Sequence, residues 1–262
     1  MRLTVLGASP WVQNPGGACS GYLVETEESR LLLDCGPGVV GKLRQHVELG
    51  DVDAIFISHL HPDHCFDLVP YQHGLRYGPG SVDEHRPSLY VPPDDPERIG
   101  LLTAIYSDAG LDVLEEAFHL SAYPADDAVQ IGDAVIRFRQ VRHYIPTYAM
   151  RIESAGRVLI YSADSGPCEA LEDLARGGDL LVCEATFLAS EGLPEERGHM
   201  AASEAGAIAR RAHVDRLMLT HFLRGVDDER RRAEAERTFG NRVMLAEGGR
   251  TYWLSQRPTW SR

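Results

Sequence analysis

The chain has 262 residues, of which 44% are hydrophobic, so it can bury a substantial core. No apolar run reaches the roughly 18 residues that a membrane helix needs. Its formal net charge of −13 argues against an extended nucleic-acid surface, because binding a polyanion requires basic groups that displace counterions. Five widely spaced cysteines without a C-x-x-C pair, and an N-terminus without a signal pattern, predict a cytoplasmic protein rather than a disulfide framework.

Short apolar runs separated by turn residues predict strands in the first half of the chain. The predicted strands are residues 2–6, 20–25, 30–34, 54–57 and 88–91. Helical spacing of apolar residues predicts helices at 39–48, 66–77 and 97–107.

The second half has the same character. Its predicted strands are 134–141, 147–153, 157–162, 179–183, 215–219, 242–245 and 250–254, and its predicted helices are 167–175, 203–212 and 227–238. Strands that alternate with helices but also form tight hairpins favour mixed sheets with outer helices, an α+β fold, over a purely parallel sheet. No linker interrupts the pattern, so we predict a single domain over residues 1–262.

A dense motif of metal-capable side chains directly follows the apolar run at 54–57. Its members are His59, His61, Asp63 and His64. His59 and His61 are two residues apart and can project to one side of a strand end, and Pro62 suits the first turn of a helix that would turn the other two inward. Imidazole and carboxylate ligands of this kind are typical of Zn²⁺. We therefore predict a metal site here rather than a cluster of surface histidines.

Further ligand-type residues each come just past a later predicted strand. They are His143, Asp164 and His221. A single residue in such a position is usually a cap or a turn residue. Together with the first motif, however, side chains at several strand ends that converge on one sheet edge favour metal ligation.

Six short motifs follow one another along the chain. They are 33–36 (LDCG), 59–64 (HLHPDH), 161–166 (YSADSG), 183–187 (CEATF), 198–200 (GHM) and 219–222 (LTHF). In this order they resemble the metallo-β-lactamase superfamily, and within it the branch of ribonuclease Z and cyclic-nucleotide phosphodiesterases. The resemblance implies a four-layer αβ/βα sandwich with a dinuclear metal site at the edge of two facing sheets.

The resemblance also implies a ligand set. A first metal would be held by His59, His61 and His143, a second by Asp63, His64 and His221, and Asp164 would bridge them. The expected cofactor is two divalent ions, with Zn²⁺ as the first expectation and Mn²⁺ or Fe²⁺ as alternatives that suit the same ligands. Two such ions with a shared hydroxide can stabilise both the attacking and the leaving oxygen of a phosphodiester displacement.

The predicted catalytic residues are Asp63, Glu184 and His199. In the resembling family, the last two support protonation of the leaving oxygen, and an imidazole oriented by a carboxylate suits a general acid. Two alternatives stay open. Glu184 could only orient a ligand histidine, and His199 could belong to the N-terminus of the helix at 203–212, with Ser203 as its cap.

The predicted substrate is a small phosphodiester, with a cyclic nucleotide as the first candidate. Ribonuclease Z proteins that process tRNA carry a long arm, which in the bacterial pattern lies between the third and fourth motifs. Only twenty residues separate His143 from Asp164 here, and two predicted strands use them. A ribonuclease Z-like tRNA 3′-end endonuclease and a thioester or lactone hydrolase remain alternatives. No membrane or nucleic-acid partner is expected, and the oligomeric state stays open, with a homodimer among the options.

Aromatic residues near the first motif raise a further question. Tyr71 or Tyr77 could stack on a nucleobase, and His73 could face the substrate. Core or surface packing is the simpler interpretation of all three.

Overall fold

The computed structural model describes residues 1–78, 86–93, 99, 112–124, 127–189, 193, 196–225 and 227–254. Its strands are β1 (Arg2–Gly7), β2 (Gly21–Glu25), β3 (Arg30–Leu33), β4 (Ala54–Phe56), β5 (Ser88–Val91), β6 (His119–Ala122), β7 (Ala128–Ile131), β8 (Ala134–Gln140), β9 (Tyr148–Ser154), β10 (Arg157–Tyr161), β11 (Leu180–Glu184), β12 (Leu217–Thr220), β13 (Val243–Leu245) and β14 (Thr251–Trp253). Its helices are α1 (Val39–Leu43), α2 (Pro62–Cys65), α3 (Leu68–Tyr77), α4 (Asp112–Ala117), α5 (Glu169–Ala175), α6 (Ala202–Arg211) and α7 (Asp228–Phe239), with a short 3₁₀ turn at Leu49–Asp51.

The strands form two mixed sheets of seven strands each. The first has the order β14-β1-β2-β3-β4-β5-β6, antiparallel from β14 to β3 and parallel from β3 to β6. The second has the order β13-β12-β11-β10-β9-β8-β7, antiparallel from β7 to β10 and parallel from β10 to β13. The two halves of the chain thus follow the same pairing scheme, a structural repeat that is not visible in the sequence.

Three buried apolar clusters lie between four layers. Strand β3 shows how one sheet contributes to two clusters, because successive side chains along a strand point to opposite faces of the sheet. Leu31 and Leu33 belong to the cluster between the two sheets, whereas Leu32 packs in the cluster beneath α1 and α3. A third cluster packs α5, α6 and α7 against the outer face of the second sheet. The predicted four-layer αβ/βα sandwich is confirmed.

The differences from the predicted elements lie at sheet edges and helix ends. Strands β6 and β7, which the sequence did not predict, are the outermost strands of their sheets, and β6 is mostly exposed, so neither carries a two-sided apolar signal. The short helix α4 was also missed. The predicted helix at 39–48 ends at Leu43, and the one at 66–77 begins at Leu68 as α3. The predicted helix at 97–107 lies outside the described residues, apart from residue 99.

Within the described ranges, no helix is both long enough and apolar enough to cross a lipid bilayer.

Candidate metal centre

Ligand-type side chains follow the C-terminal ends of strands in both sheets. His59 follows β4 in the first sheet, while His143, Asp164 and His221 follow β8, β10 and β12 in the second. Helix α2 begins with Pro62 and places its next two residues beside them. The fold brings all seven predicted ligands together in two groups that share Asp164, one with His59, His61 and His143 and the other with Asp63, His64 and His221.

The first group consists of three imidazoles and one carboxylate oxygen. His61 Nδ1 lies 3.1 Å from His59 Nε2 and 3.0 Å from His143 Nε2. Asp164 Oδ2 lies 3.7 Å from His59 Nε2 and 3.9 Å from His143 Nε2. Four donor atoms of the types that bind zinc therefore surround one point.

The second group uses the other oxygen of the same carboxylate. Asp164 Oδ1 lies 3.4 Å from His64 Nε2 and 3.3 Å from His221 Nε2. Asp63 Oδ2 lies 3.2 Å from His221 Nε2 and 3.5 Å from His64 Nε2. Asp164 thus presents one oxygen to each group, as a residue between two cations would.

Hydrogen bonds on the outer side of the rings set their tautomers. His64 Nδ1 donates to Asp34 Oδ2 at 2.7 Å, and His143 Nδ1 donates to the Gly198 carbonyl at 2.7 Å. His221 Nδ1 donates to Thr186 Oγ1 at 3.0 Å. With the proton on Nδ1, the neutral form of each ring presents its Nε2 lone pair to the centre.

Two buried polar atoms at the centre have no hydrogen-bond partner, His64 Nε2 and Asp164 Oδ1. Leaving buried polar atoms unsatisfied is costly, so such positions call for an explanation. A nitrogen lone pair and a carboxylate oxygen 3.4 Å apart cannot satisfy each other without a proton, but both can bind a cation. The residues present therefore fit metal ions.

Electrostatics separates His64 from three of the other ligand-type histidines. Burial lowers the pKa of His64, but the Asp164 and Asp34 carboxylates outweigh it and raise the net pKa well above its usual value, so a metal ion bound there would displace a proton. Burial lowers the pKa of His59, His61 and His143, so these rings stay neutral and available as ligands. Burial by itself raises the pKa of the Asp164 carboxyl, but His221 and His64 outweigh it and hold that pKa well below its usual range. The shared carboxylate is therefore ionised.

Asp34 is a functional residue that the sequence placed only in a family motif. It follows β3 and takes a left-handed backbone conformation with φ of 58°. Its carboxylate accepts hydrogen bonds from Ser58 Oγ at 2.8 Å, from Tyr161 OH at 2.6 Å and from His64 Nδ1 at 2.7 Å. Since Ser58 and Tyr161 come from different sheets, Asp34 ties both sheets to a ligand histidine.

Left-handed backbone occurs at two more residues of the centre. Ala163 has φ of 52° and His221 has φ of 59°. Non-glycine residues rarely adopt this region, and in structures such outliers cluster at functional sites. Here they turn the chain sharply at the ends of β10 and β12, which directs Asp164 and the His221 imidazole into the centre.

Glu184 and His199 form a third group beside the second one. Glu184 is fully buried at the end of β11, and its carboxylate accepts hydrogen bonds from Ser165 N at 2.7 Å, Thr186 Oγ1 at 2.8 Å and His199 Nδ1 at 2.9 Å. The His199 ring stacks on His221 with centroids 5.5 Å apart. Burial lowers the pKa of His199, but the hydrogen bond and charge of Glu184 outweigh it, so the net pKa is raised.

Ser203 is not the helix cap that the sequence suggested. Helix α6 begins at Ala202 after the N-cap residue Ala201, and the Glu204 carboxylate accepts a hydrogen bond from Ala201 N at 2.8 Å. His199 lies two residues before that cap, with its imidazole held by Glu184. Its place is therefore set by the centre and not by the helix terminus.

The three aromatic candidates near the first motif all lie on α3. His73 is exposed on α3 and its Nδ1 donates to the Val69 carbonyl at 2.9 Å. Tyr71 is fully buried and donates to the Leu49 carbonyl at 2.8 Å, which confirms packing for this residue. Tyr77 is 72% exposed at the far end of the same helix.

A family model described as a β-lactamase superfamily domain matches residues 29–222. The chain belongs to the metallo-β-lactamase superfamily. The matched region contains all seven ligand-type residues and the Glu184–His199 pair, so the family match and the geometry point to the same centre.

Several relatives span nearly the whole chain. An uncharacterized protein of Mycobacterium leprae, ML1173, is 35% identical over 96% of this chain and 88% of its own. A probable metallo-hydrolase of Bacillus subtilis, YhfI, is 33% identical over 95% of this chain and 98% of its own. Its crystal structure, described as a metallo-β-lactamase fold protein, superposes with a TM-score of 0.86 over 96% of this chain and 98% of that one.

More distant relatives include ribonuclease Z proteins. That of Ignicoccus hospitalis is 28% identical over 94% of this chain and 96% of its own, in an alignment of 303 positions that exceeds the length of this chain. The short form of human tRNase Z shares the fold, with a TM-score of 0.77 at 22% identity over 98% of this chain and all of that one. The protein is thus a metallo-hydrolase of this superfamily.

Proposed function

We propose that the protein is a phosphodiesterase that uses two divalent metal ions to hydrolyse a small phosphodiester, with a cyclic nucleotide as the substrate class. One observation carries the proposal. Asp164 offers one oxygen to each of two ligand groups, and a carboxylate-oriented imidazole, His199, lies beside them. Two ions held there would neutralise the charge of a phosphodiester and activate water for attack on phosphorus.

The side chains of this chain have distinct roles in the proposal. Asp164 and the six residues around it would hold the ions, and the hydrogen bonds to Asp34, Gly198 and Thr186 keep the rings in the ligand tautomer. Asp63, with a side chain that is 11% exposed, is the carboxylate of the centre nearest to solvent and is placed to orient the attacking water.

His199 is the proposed proton donor to the leaving oxygen. Its Nδ1 is engaged by Glu184, so Nε2 is the nitrogen available to a substrate, and 13% of the side chain is exposed. Glu184 is fully buried and accepts hydrogen bonds from the surrounding backbone and side chains. We therefore assign Glu184 as a positioning residue that orients His199 and raises its pKa, rather than as a group that contacts the substrate.

The segment between His143 and Asp164 supports a small substrate. It is fully described and consists of a short loop followed by β9 and β10, which are joined by a turn at residues 155–156. This interval has no room for a protruding arm that could hold a tRNA. The net charge of −13 supports the same choice, because a folded RNA requires a broad basic surface.

A ribonuclease Z activity is the second candidate, because ribonuclease Z proteins are among the relatives. The two functions share the metal centre and differ in what holds the substrate. A hydrolysis panel on the metal-loaded protein separates them, with 3′,5′- and 2′,3′-cyclic nucleotides, bis-p-nitrophenyl phosphate, a precursor tRNA and a thioester.

We expect the cyclic nucleotides and bis-p-nitrophenyl phosphate to be cleaved and the tRNA to be left intact. Preferred 3′-end cleavage of the tRNA would replace the proposal with the second candidate, and turnover of the thioester alone would refute both. A His46→Ala variant, which removes an exposed histidine outside the centre, is the matched control for histidine substitutions.

A further inference from the structure

Several exposed apolar side chains lie near the metal centre. Among the described residues, seven large hydrophobic side chains are strongly exposed. Trp11 has a ring contact with the ligand residue His221, and three others lie one or two positions after a ligand residue: Phe66, Tyr144 and Leu223. A water-filled ionic site does not require such neighbours, and exposed apolar groups concentrated in one place are a mark of a binding surface. The rim of this polar centre is therefore suited to a substrate that carries an apolar, planar group.

Tyr144 has the most defined position in this rim. It directly follows the ligand His143, and its ring lies 5.1 Å from the His143 ring and 5.8 Å from the His199 ring. The side chain is nevertheless 63% exposed. One aromatic face is thus open next to the proposed proton donor.

Gly198 fixes that ring. A Cβ atom at this position would lie 2.9 Å from Cδ2 and Cε2 of Tyr144 and 2.8 Å from His143 Nδ1. The ring therefore rests directly on the backbone of Gly198, whose carbonyl also accepts the hydrogen bond from His143. This contact holds the Tyr144 ring in place before a substrate binds. The entropic cost of ordering the Tyr144 side chain on binding is therefore lower.

Trp11 lies on the other side of the two stacked imidazoles. Its ring contacts the edge of His221 at a centroid distance of 6.4 Å, and His221 in turn stacks on His199. Asn14 holds this loop by donating to the Phe222 carbonyl and accepting from Arg224 N. Trp11 thus lies against one member of the histidine pair and Tyr144 against the other, so of these two aromatic residues Tyr144 is the one with a ring contact to His199.

We propose that Tyr144 is a specificity-determining residue that stacks against the nucleobase of a small nucleotide substrate. This proposal rests on the phosphodiesterase function proposed above. It adds that the planar base of the substrate is the group that Tyr144 recognises. Because every base has a π-face, stacking on one tyrosine favours nucleotides over base-free sugar phosphates without selecting strongly among bases.

The test compares two ligands that differ only in the base, adenosine 5′-monophosphate and ribose 5-phosphate, by calorimetry on the metal-loaded protein. We expect the wild type to bind the nucleotide about tenfold more tightly, in the range of base–aromatic stacking. Tyr144→Ala should remove this difference and leave ribose 5-phosphate binding unchanged, while Tyr144→Phe should keep it. Tyr77→Ala is the matched control, since it removes another strongly exposed tyrosine, at the far end of α3.

Turnover gives a second measurement. With 3′,5′-cyclic AMP, Tyr144→Ala should raise KM about tenfold with little change in kcat, because stacking binds ground state and transition state alike. Equal affinity of the wild type for the two ligands, an equal loss for both in Tyr144→Ala, or loss of the base preference in Trp11→Ala instead, would overturn the assignment. A wild type that prefers the nucleotide but hydrolyses no phosphodiester would refute the proposed function alone.

Discussion

Asp34 Oδ2 lies 2.7 Å from His64 Nδ1, and both side chains are fully buried. A carboxylate that accepts the outer N–H of a ligand histidine fixes the ring and raises its basicity, and removal of such a partner typically costs 10–100-fold in metal affinity. Asp34 is 30 positions from His64 in the sequence, so the fold creates this pair.

The first prediction concerns Asp34→Asn. The amide keeps the size of the side chain but has only one acceptor atom for the donors that surround it, so we expect metal affinity to fall by about 10–100-fold. Competition with a chelator measures this loss. Asp51→Asn, at an exposed position, is the control and should bind metal like the wild type. Unchanged affinity in Asp34→Asn would show that the histidine needs no such partner.

The second prediction concerns Asp63→Ala. This residue lies at the edge of the centre and not in an apolar cluster, so we expect the fold to persist while turnover of bis-p-nitrophenyl phosphate falls by orders of magnitude. Circular dichroism and a steady-state assay on the same preparation check both parts. An active variant with normal metal content would contradict the role given to Asp63.

The third prediction concerns His199→Ala. A ribose alkoxide needs a proton to leave, whereas p-nitrophenolate leaves with little help. We therefore expect a strong loss of cyclic-nucleotide hydrolysis, a weak loss with bis-p-nitrophenyl phosphate, and no change in metal content. Glu184→Gln should give the same unequal pattern to a smaller degree, because Glu184 acts through His199. Equal losses on the two substrates would remove His199 as the proton donor.

The fourth prediction concerns stability. Asp133, in the turn between β7 and β8, accepts hydrogen bonds from Thr26 Oγ1 in the first sheet's hairpin and from Ser154 Oγ, and so joins turns of both sheets. Burial raises the pKa of Asp133, but these bonds outweigh it and the net pKa is lowered. Its contribution is therefore present above the unfolded value near 3.8 and is lost as the pH falls through the lower folded value.

We expect Asp133→Asn to lower the free energy of unfolding by about 1 kcal/mol at neutral pH, and the difference from wild type to shrink as the pH approaches that of acid unfolding. Urea unfolding at a series of pH values measures both. Asp173→Asn, which breaks an exposed pair with Arg176, is the control and should change stability by less than about 0.5 kcal/mol. A difference that does not depend on pH would show that the ionised carboxylate is not what stabilises the turns.

The seven ligand-type residues that the fold brings together could be recognised in the sequence because their signal is local. His59, His61, Asp63 and His64 lie within one short motif, and each remaining ligand directly follows an apolar strand. Strands that are buried on both faces give continuous apolar runs that are easily recognised. Edge strands such as β6 and β7 give no such signal and were missed.

The hydrogen bonds that hold the ligand-type residues in place could not be predicted, because they join distant segments of the chain. The Asp34 carboxylate accepts a hydrogen bond from the hydroxyl of Tyr161, 127 positions away, and the residues near either partner do not predict this bond. Gly36 is a similar case. A Cβ there would lie 1.9 Å from the Asp63 carbonyl oxygen, so the glycine allows the loop after β3 to close on the metal motif. In the sequence Gly36 belongs to the motif 33–36, which does not by itself predict this contact.

The most direct test of the account is the number of metal ions per chain. The protein is stripped with a chelator, reconstituted with Zn²⁺ or Mn²⁺, freed of excess metal and measured by elemental analysis, with His46→Ala as control. We expect two ions per chain in the wild type and in the control, and fewer in Asp164→Ala, because Asp164 offers an oxygen to both groups. One ion or fewer in the wild type, or an unchanged count of two in Asp164→Ala, would contradict the dinuclear centre.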